Sequence, residues 1–354
     1  MQFGTFYQLP CAPMQSPQTR YNETLMQIQH ADTLNINVAW LAELHFYPSF
    51  SIMSSPLMVA AAVAQRAQRI RLGIAVNLLP LHNPLRNAED AATLDLLSNG
   101  RLEYGAGRGS IPLHFAGYNI PVSESRERFL EILDILHLAW TTDAFSYDGA
   151  FYNYDNVRVV PKPVQYPHPP LRIACNSSDS FRLAGERGWR IFCSPVVVPM
   201  PRLQDDLGTY RSLLQEHDSP PRDDAVALMT SVYVNPSASK ALEVPEASLN
   251  NYLSVLLQMQ NASRAADRSS GSVQVDARAQ EMQARLQNMT YEEATRTFAI
   301  YGEPAHCIDR IQALKETFGV NQFIGWFNTG GLIPHQQVMD SMTLFAERVM
   351  PYIA

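Results

Sequence analysis

The sequence predicts an α/β protein folded as one TIM (β/α)8 barrel spanning residues 1–354, with an insertion after the seventh strand. One observation carries the barrel, a second leaves room for it, and a third places the insertion. Eight short β-like runs alternate with longer amphipathic stretches, the pattern of βα units on a parallel sheet. A length of 354 residues suits a large barrel as well as two ordinary domains. The alternation fails once, at about residues 240–298, where polar, helix-prone segments replace a short connection.

In chain order the strands are expected near residues 2–6, 37–42, 71–77, 101–106, 171–175, 190–194, 227–234 and 321–327. After the third, Asn83 to Leu97 repeats Leu85, Ala88, Ala92 and Leu96 at helical spacing, which predicts a helix buried on that face. Ser123 reads as the N-cap of the next helix, with Arg126 in its first turn. Residues 262–275 read as a loose, solvated stretch within the insertion. An insertion there lies over the C-terminal mouth of a barrel, as a lid or as a surface excursion. A doubly wound open sheet is the alternative architecture, since pattern counts strands more reliably than it shows closure.

Composition narrows the function. A net charge of −7, a pI near 5.7 and the lack of a basic tract give no electrostatic footprint for nucleic acid or an anionic membrane. No apolar run approaches the roughly 18 residues of a membrane span, and Met1-Gln-Phe-Gly-Thr-Phe6 reads as a strand rather than a signal peptide. Cys11, Cys175, Cys193 and Cys307 are widely spaced, as isolated thiols in a reducing cytoplasm would be, and form no metal-ligand pattern. The expected partner is a small molecule.

One motif stands out. Arg101-Leu-Glu-Tyr-Gly-Ala-Gly-Arg-Gly109 reads as a strand that stops on a glycine-flanked arginine. A guanidinium there suits a bidentate grip on a phosphate or carboxylate. Its glycine spacing is neither the dinucleotide fingerprint nor the phosphate loop. The residues alone leave both an anion site and a solvated arginine open.

The ordered set of motifs resembles the bacterial luciferase-like, flavin-dependent monooxygenases over nearly the whole chain. It runs through Phe3-Gly-Thr-Phe6, Trp40-Leu-Ala-Glu-Leu-His-Phe46, Arg71-Leu-Gly-Ile-Ala-Val-Asn-Leu-Leu-Pro80 and His82-Asn-Pro-Leu-Arg-Asn-Ala-Glu89. It continues through Leu94-Asp-Leu-Leu-Ser-Asn-Gly-Arg-Leu102, Gly107-Arg-Gly109, Ser125-Arg-Glu-Arg128, Gly302-Glu-Pro304 and Trp326-Phe-Asn-Thr-Gly-Gly331. The resemblance implies FMN at the barrel mouth, with Arg108 gripping its phosphate and Asn176, Ser177 and Ser180 forming a hydroxyl-rich turn beside it. Read alone, that turn is an ordinary helix cap. The resemblance places the flavin ring near Ala75, Val76, Gly107 and Ser194, and implies a cis peptide between Ala75 and Val76.

The chain also departs from the family. Glu43-Leu44-His45 has leucine where the light-emitting enzymes have the first of two histidines, and a leucine cannot shuttle protons. Bioluminescence is not expected. His45, with Glu43, is the remaining catalytic candidate, against a structural role bonded to that carboxylate. Gly107 stands where the luciferases carry a reactive cysteine, which predicts a wider pocket. Phe6, Leu44, His114, Phe115 and Trp326 are expected to border the substrate, whereas His82 and His335 are read as peripheral to the chemistry.

By resemblance, the protein is a two-component monooxygenase: a separate flavin reductase delivers reduced FMN, and molecular oxygen adds to form a flavin hydroperoxide that oxidises a small, largely apolar substrate. A homodimer or a heterodimer with a paralogue is implied with it. A deazaflavin-dependent dehydrogenase and a non-catalytic flavin-binding subunit are the rival readings.

Overall fold

The strands lie in chain order as β1 (Gln2–Tyr7), β2 (Val38–Leu41), β3 (Arg71–Leu78), β4 (Leu102–Gly107), β5 (Phe145–Asp148), β6 (Asn153–Val157), β7 (Leu171–Ala174), β8 (Arg190–Cys193), β9 (Val226–Val234), β10 (Ile300–Gly302) and β11 (Gln322–Trp326). A computed structural model describes them within residues 1–12, 14–217, 225–269, 284–285 and 287–353. β1, β2, β3, β4, β7, β8, β9 and β11 pair in parallel, and β11 returns to β1 through Gln2 to Gln322 and Phe3 to Phe323. The ring is closed, which excludes the open doubly wound sheet.

Strands in such a ring are covered on both faces, so Val38-Ala-Trp-Leu41 is buried throughout. Trp40 fills the barrel interior against Phe192, ring centroids 4.4 Å apart, with Val38, Ala227 and Ile324 around them. Gly73 leaves room for the indole: a Cβ at that position would lie 2.1 Å from Trp40. Outward-facing strand residues pack on the helices, as Phe3 does on Phe345.

Two elements were not anticipated. The antiparallel hairpin β5 and β6 carries mostly polar, solvent-facing residues, so it lacks the apolar signature of a core strand. β10 is only three residues long and extends the pairing of β9 beyond the reach of β11, from Ile300 opposite Val232 to Gly302 opposite Val234.

Three local expectations also shift. Helix Pro84–Leu97 begins on the Asn83 cap, but Leu96 is exposed and Asp95 is buried. Asp95 turns inward because it accepts from Val164 N and Gln165 N at 2.9 and 3.0 Å, pinning the proline-rich loop. Ser123 lies in a short 3-10 turn, and Glu124 precedes helix Ser125–Thr141. Residues 262–269, expected to be loose, are the last turns of helix Ala238–Ser269, while 270–275 lie outside the described residues, as does part of the 240–298 insertion.

Candidate active site

The C-terminal ends of neighbouring strands bring the sequence-predicted residues into one arc. Phe6 lies on β1 and Trp326 on β11, their rings 5.2 Å apart and edge to face. Glu43, Leu44 and His45 follow β2, Ala75 and Val76 lie on β3, Gly107 and Arg108 end β4, Asn176 to Ser180 follow β7, and Ser194 follows β8. Functional residues of barrels gather on this face because eight loops converge there.

On β3 the pairing with β4 slips between Ile74 and Asn77, and the Ala75–Val76 peptide inside that irregularity is cis, as the family resemblance implies. Both side chains are half-buried against the interior cluster. The expectation that Gly107 widens the pocket needs correction. A Cβ there would lie 2.3 Å from Val76 Cγ2, so the space freed by glycine is already taken by Val76. Gly107→Ala is therefore expected to cost about 1–3 kcal/mol through overpacking. Gly208→Ala, at a helix position with nothing within 4 Å of its Cβ, is expected to gain about 0.5–1 kcal/mol. Thermal unfolding of the two variants checks both signs.

The polar heart of the arc is Glu43, 2 % exposed. Its Oε1 accepts from His45 Nε2 at 2.9 Å and from His82 Nε2 at 2.7 Å, and its Oε2 accepts from Leu78 N at 2.8 Å. Burial alone would raise its pKa, but the hydrogen bonds from His45, His82 and Leu78 outweigh it and hold the carboxyl down at about 2. His114 lies edge to face with His45, 5.4 Å between centroids, and its Nε2 accepts from His45 N at 3.2 Å. Burial, with His45 nearby, pushes the His114 imidazole down to about 4 and keeps it neutral.

His82 was read as peripheral, and the structure places it in first contact with Glu43. The signal was available. Glu43 leaves β2 and His82 follows β3, so adjacent strands deliver both to the same end of the barrel.

Arg108 is exposed and makes no ion pair or hydrogen bond among the described residues. β4 pairs with β7, so Arg108 leaves the barrel beside the Asn176 turn. There Ser177 caps helix Ser178–Glu186 in a capping box with Ser180, whose Oγ accepts from Asn176 N and Ser177 N at 3.2 and 3.1 Å. The first-turn N–H groups of Ser178 and Asp179 point out of the helix start with no carbonyl behind them. Asp179 is engaged by Arg126 at 2.7 Å. Ser194 Oγ accepts from Val196 N at 3.2 Å and is buried. Leu44 is half-buried in the arc, while Phe115 is buried under the loop with Leu78 and Leu81.

Helix Ala238–Ser269 crosses this face. Ser248 Oγ donates to Thr329 O at 2.6 Å and accepts from Leu332 N at 2.9 Å, tying the helix to the loop after β11. Tyr252 packs edge to face on Trp326 at 5.0 Å, and the same helix lies against Pro112–Gly117 beyond β4. A separate cavity of about 730 Å³ opens near the N-terminal ends of β7 and β8, between Trp140, His168 and Trp189, and none of the arc residues line it.

Among the described residues no cluster of three or more histidine, cysteine or acidic side chains can hold a metal, and no helix is long and apolar enough to cross a membrane. The flavin-dependent trigonelline monooxygenase, oxygenase component, of Acinetobacter baylyi is 24% identical over 99% of this chain and 95% of its own. The FMN-bound oxygenating constituent of 3,6-diketocamphane monooxygenase from Pseudomonas putida superposes with a TM-score of 0.83 at 18% identity, covering 100% of this chain and 99% of that one. An F420-dependent secondary alcohol dehydrogenase has the same fold at a TM-score of 0.74 and 17% identity, covering 100% and 99%. The family described as luciferase-like monooxygenase matches residues 1–322. With that match spanning most of the barrel, the chain belongs to the luciferase-like monooxygenases.

Proposed function

We propose that this protein is the oxygenase half of a two-component system that uses reduced FMN and molecular oxygen to oxidise a small, largely apolar molecule. The observation that carries it is Arg108: an exposed guanidinium with no ion pair or hydrogen bond among the described residues, at the exit of β4 and next to a helix N-terminus. An exposed cation beside first-turn N–H groups fits a phosphate dianion. Asn176, Ser177 and Ser180 would hold that phosphate, while the half-buried Ala75 and Val76, with Gly107 and Ser194, would bed the ring. Reduced FMN would supply two electrons, so that one oxygen atom enters the substrate and the other leaves as water.

The protein's own work is binding, orientation and exclusion of water. Phe6, Leu44 and Trp326 give the mouth an apolar lining, and Tyr252 covers Trp326, which supports a lid role for helix Ala238–Ser269 within the insertion. His45, set by Glu43, is the acid–base candidate. A transient reductase partner, dimeric assembly and a cytoplasmic location belong to the same proposal, and the relative named as an oxygenase component supports the first of these.

The F420-dependent structural relative keeps a deazaflavin reading in view. Titration of the apo-protein with reduced FMN and with reduced deazaflavin, followed by rapid mixing with oxygenated buffer, separates the two. Preferential FMN binding and a slow, protein-dependent absorbance phase are expected. Binding of the deazaflavin alone would overturn the proposal.

A further inference from the structure

We propose that Tyr118 is the residue through which His45 exchanges a proton with the reacting molecule, an inference that rests on the oxygenase reading above.

The argument starts from hydrogen positions. Glu43 is ionised and carries no proton, so a 2.9 Å contact between its Oε1 and His45 Nε2 requires Nε2 to be the donor. A neutral His45 then has its lone pair on Nδ1. That atom faces Tyr118 Oη at 3.3 Å, with the two rings edge to face at 5.0 Å. The phenol is the donor in this pair, on a contact of the length that acid–base pairs show before a ligand tightens them.

Exposure decides which of the two meets a solute. His45 is 4% exposed, sealed beneath Phe46, His114 and Tyr118, whereas Tyr118 is 42% exposed. Tyr118 ends helix Pro112–Gly117, on the loop that leaves β4 after Arg108. A carboxylate, an imidazole and a hydroxyl in line form the arrangement in which the acid orients the ring and the ring works on the hydroxyl.

The proton balance is simple. As the reacting group gives a proton to Tyr118 Oη, the phenolic proton moves to His45 Nδ1, and the imidazolium faces the Glu43 carboxylate. The reverse movement returns a proton, and no electrons are exchanged. The titratable groups around His45 are Glu43 from the β2 end, His82 from the β3 end, and His114 and Tyr118 from the helix after β4. His114 accepts a main-chain N–H and is neutral, so it adds no competing charge. Burial, with Glu43 nearby, raises the Tyr118 pKa and keeps the phenol protonated at rest.

Tyr118→Phe keeps the ring and removes the hydroxyl. In the full chain with histidine ring nitrogens labelled, the wild type is expected to show His45 with a protonated Nε2 and a hydrogen-bonded, unprotonated Nδ1. The Nδ1 signal should move to the free lone-pair position in Tyr118→Phe, with the melting midpoint unchanged. On mixing with reduced FMN and oxygen, decay of the protein-dependent absorbance phase should vary with pH in the wild type. It should be roughly a hundredfold slower and pH-independent in the variant. A normal wild-type phase with an unaltered rate and profile in Tyr118→Phe would overturn this proposal alone, as would a protonated Nδ1. Wild-type protein that oxidises FMN no more slowly than buffer does would overturn the oxygenase reading and this inference together.

Discussion

Arg108→Ala is expected to weaken FMN binding by roughly ten- to a hundredfold while leaving the melting temperature of the apo-protein unchanged. The magnitude is that of a charge-assisted hydrogen bond, about 1.5–3 kcal/mol. The unchanged stability follows from geometry: the side chain is exposed and pairs with nothing among the described residues, so its removal orphans no partner among them. Arg108→Lys restores the charge without the planar fork and should fall between the two. Equilibrium titration of reduced FMN under anaerobic conditions, with thermal unfolding of the same samples, checks both halves. Full affinity in Arg108→Ala would move the phosphate elsewhere and remove the main support for the proposed cofactor.

Glu43→Gln should produce the largest stability loss of any near-isosteric change in the arc. The carboxylate accepts three N–H groups, from His45, His82 and Leu78. A glutamine offers one acceptor oxygen and one donor nitrogen, so either a donor faces Leu78 N or both His45 and His82 must give up their Nε2 protons and change tautomer. Linkage gives the size: a pKa held at about 2 instead of 4.5 corresponds to roughly 3 kcal/mol.

The sign follows from which state binds protons first. Glu43 is depressed in the folded protein, so its contribution is complete above about pH 4.5 and is lost as pH falls towards about 2. His114 is also depressed, from 6.5 to about 4, so the unfolded chain takes its proton first and stability is lost between those values as well. Urea unfolding across this range should show the two losses in succession in the wild type. In Glu43→Gln the lower one should vanish while the upper remains. A variant with wild-type slope below pH 4.5 would show that the carboxylate is not the group being titrated.

The barrel was legible because its strands are short, mostly apolar runs set between amphipathic stretches, and the eight barrel strands fall within a residue or two of expectation. What escaped has physical reasons. β10 is too short for any period to register, and β5 and β6 are stabilised by each other rather than by the core. Asp95 broke the helical pattern because a buried acid satisfied by loop N–H groups looks, in sequence, like a solvent-facing one. In the candidate site, Glu43 and His45 are two residues apart and were read together. His82, His114 and Tyr118 are 39, 69 and 73 residues from their partners, a separation that only the ring of strands removes.

β11 pairs with both β1 and β9, which bears on how the molecule is made. During synthesis from the N-terminus, β1 must wait with a bare edge until residue 322 has been added, because among the described residues no earlier strand pairs with that side. The nascent chain therefore carries two unsatisfied sheet edges from β2 until β11 is added, and they are joined in a single event. Chains released before that point would have adhesive borders, and chaperone demand should fall sharply once the last strand emerges.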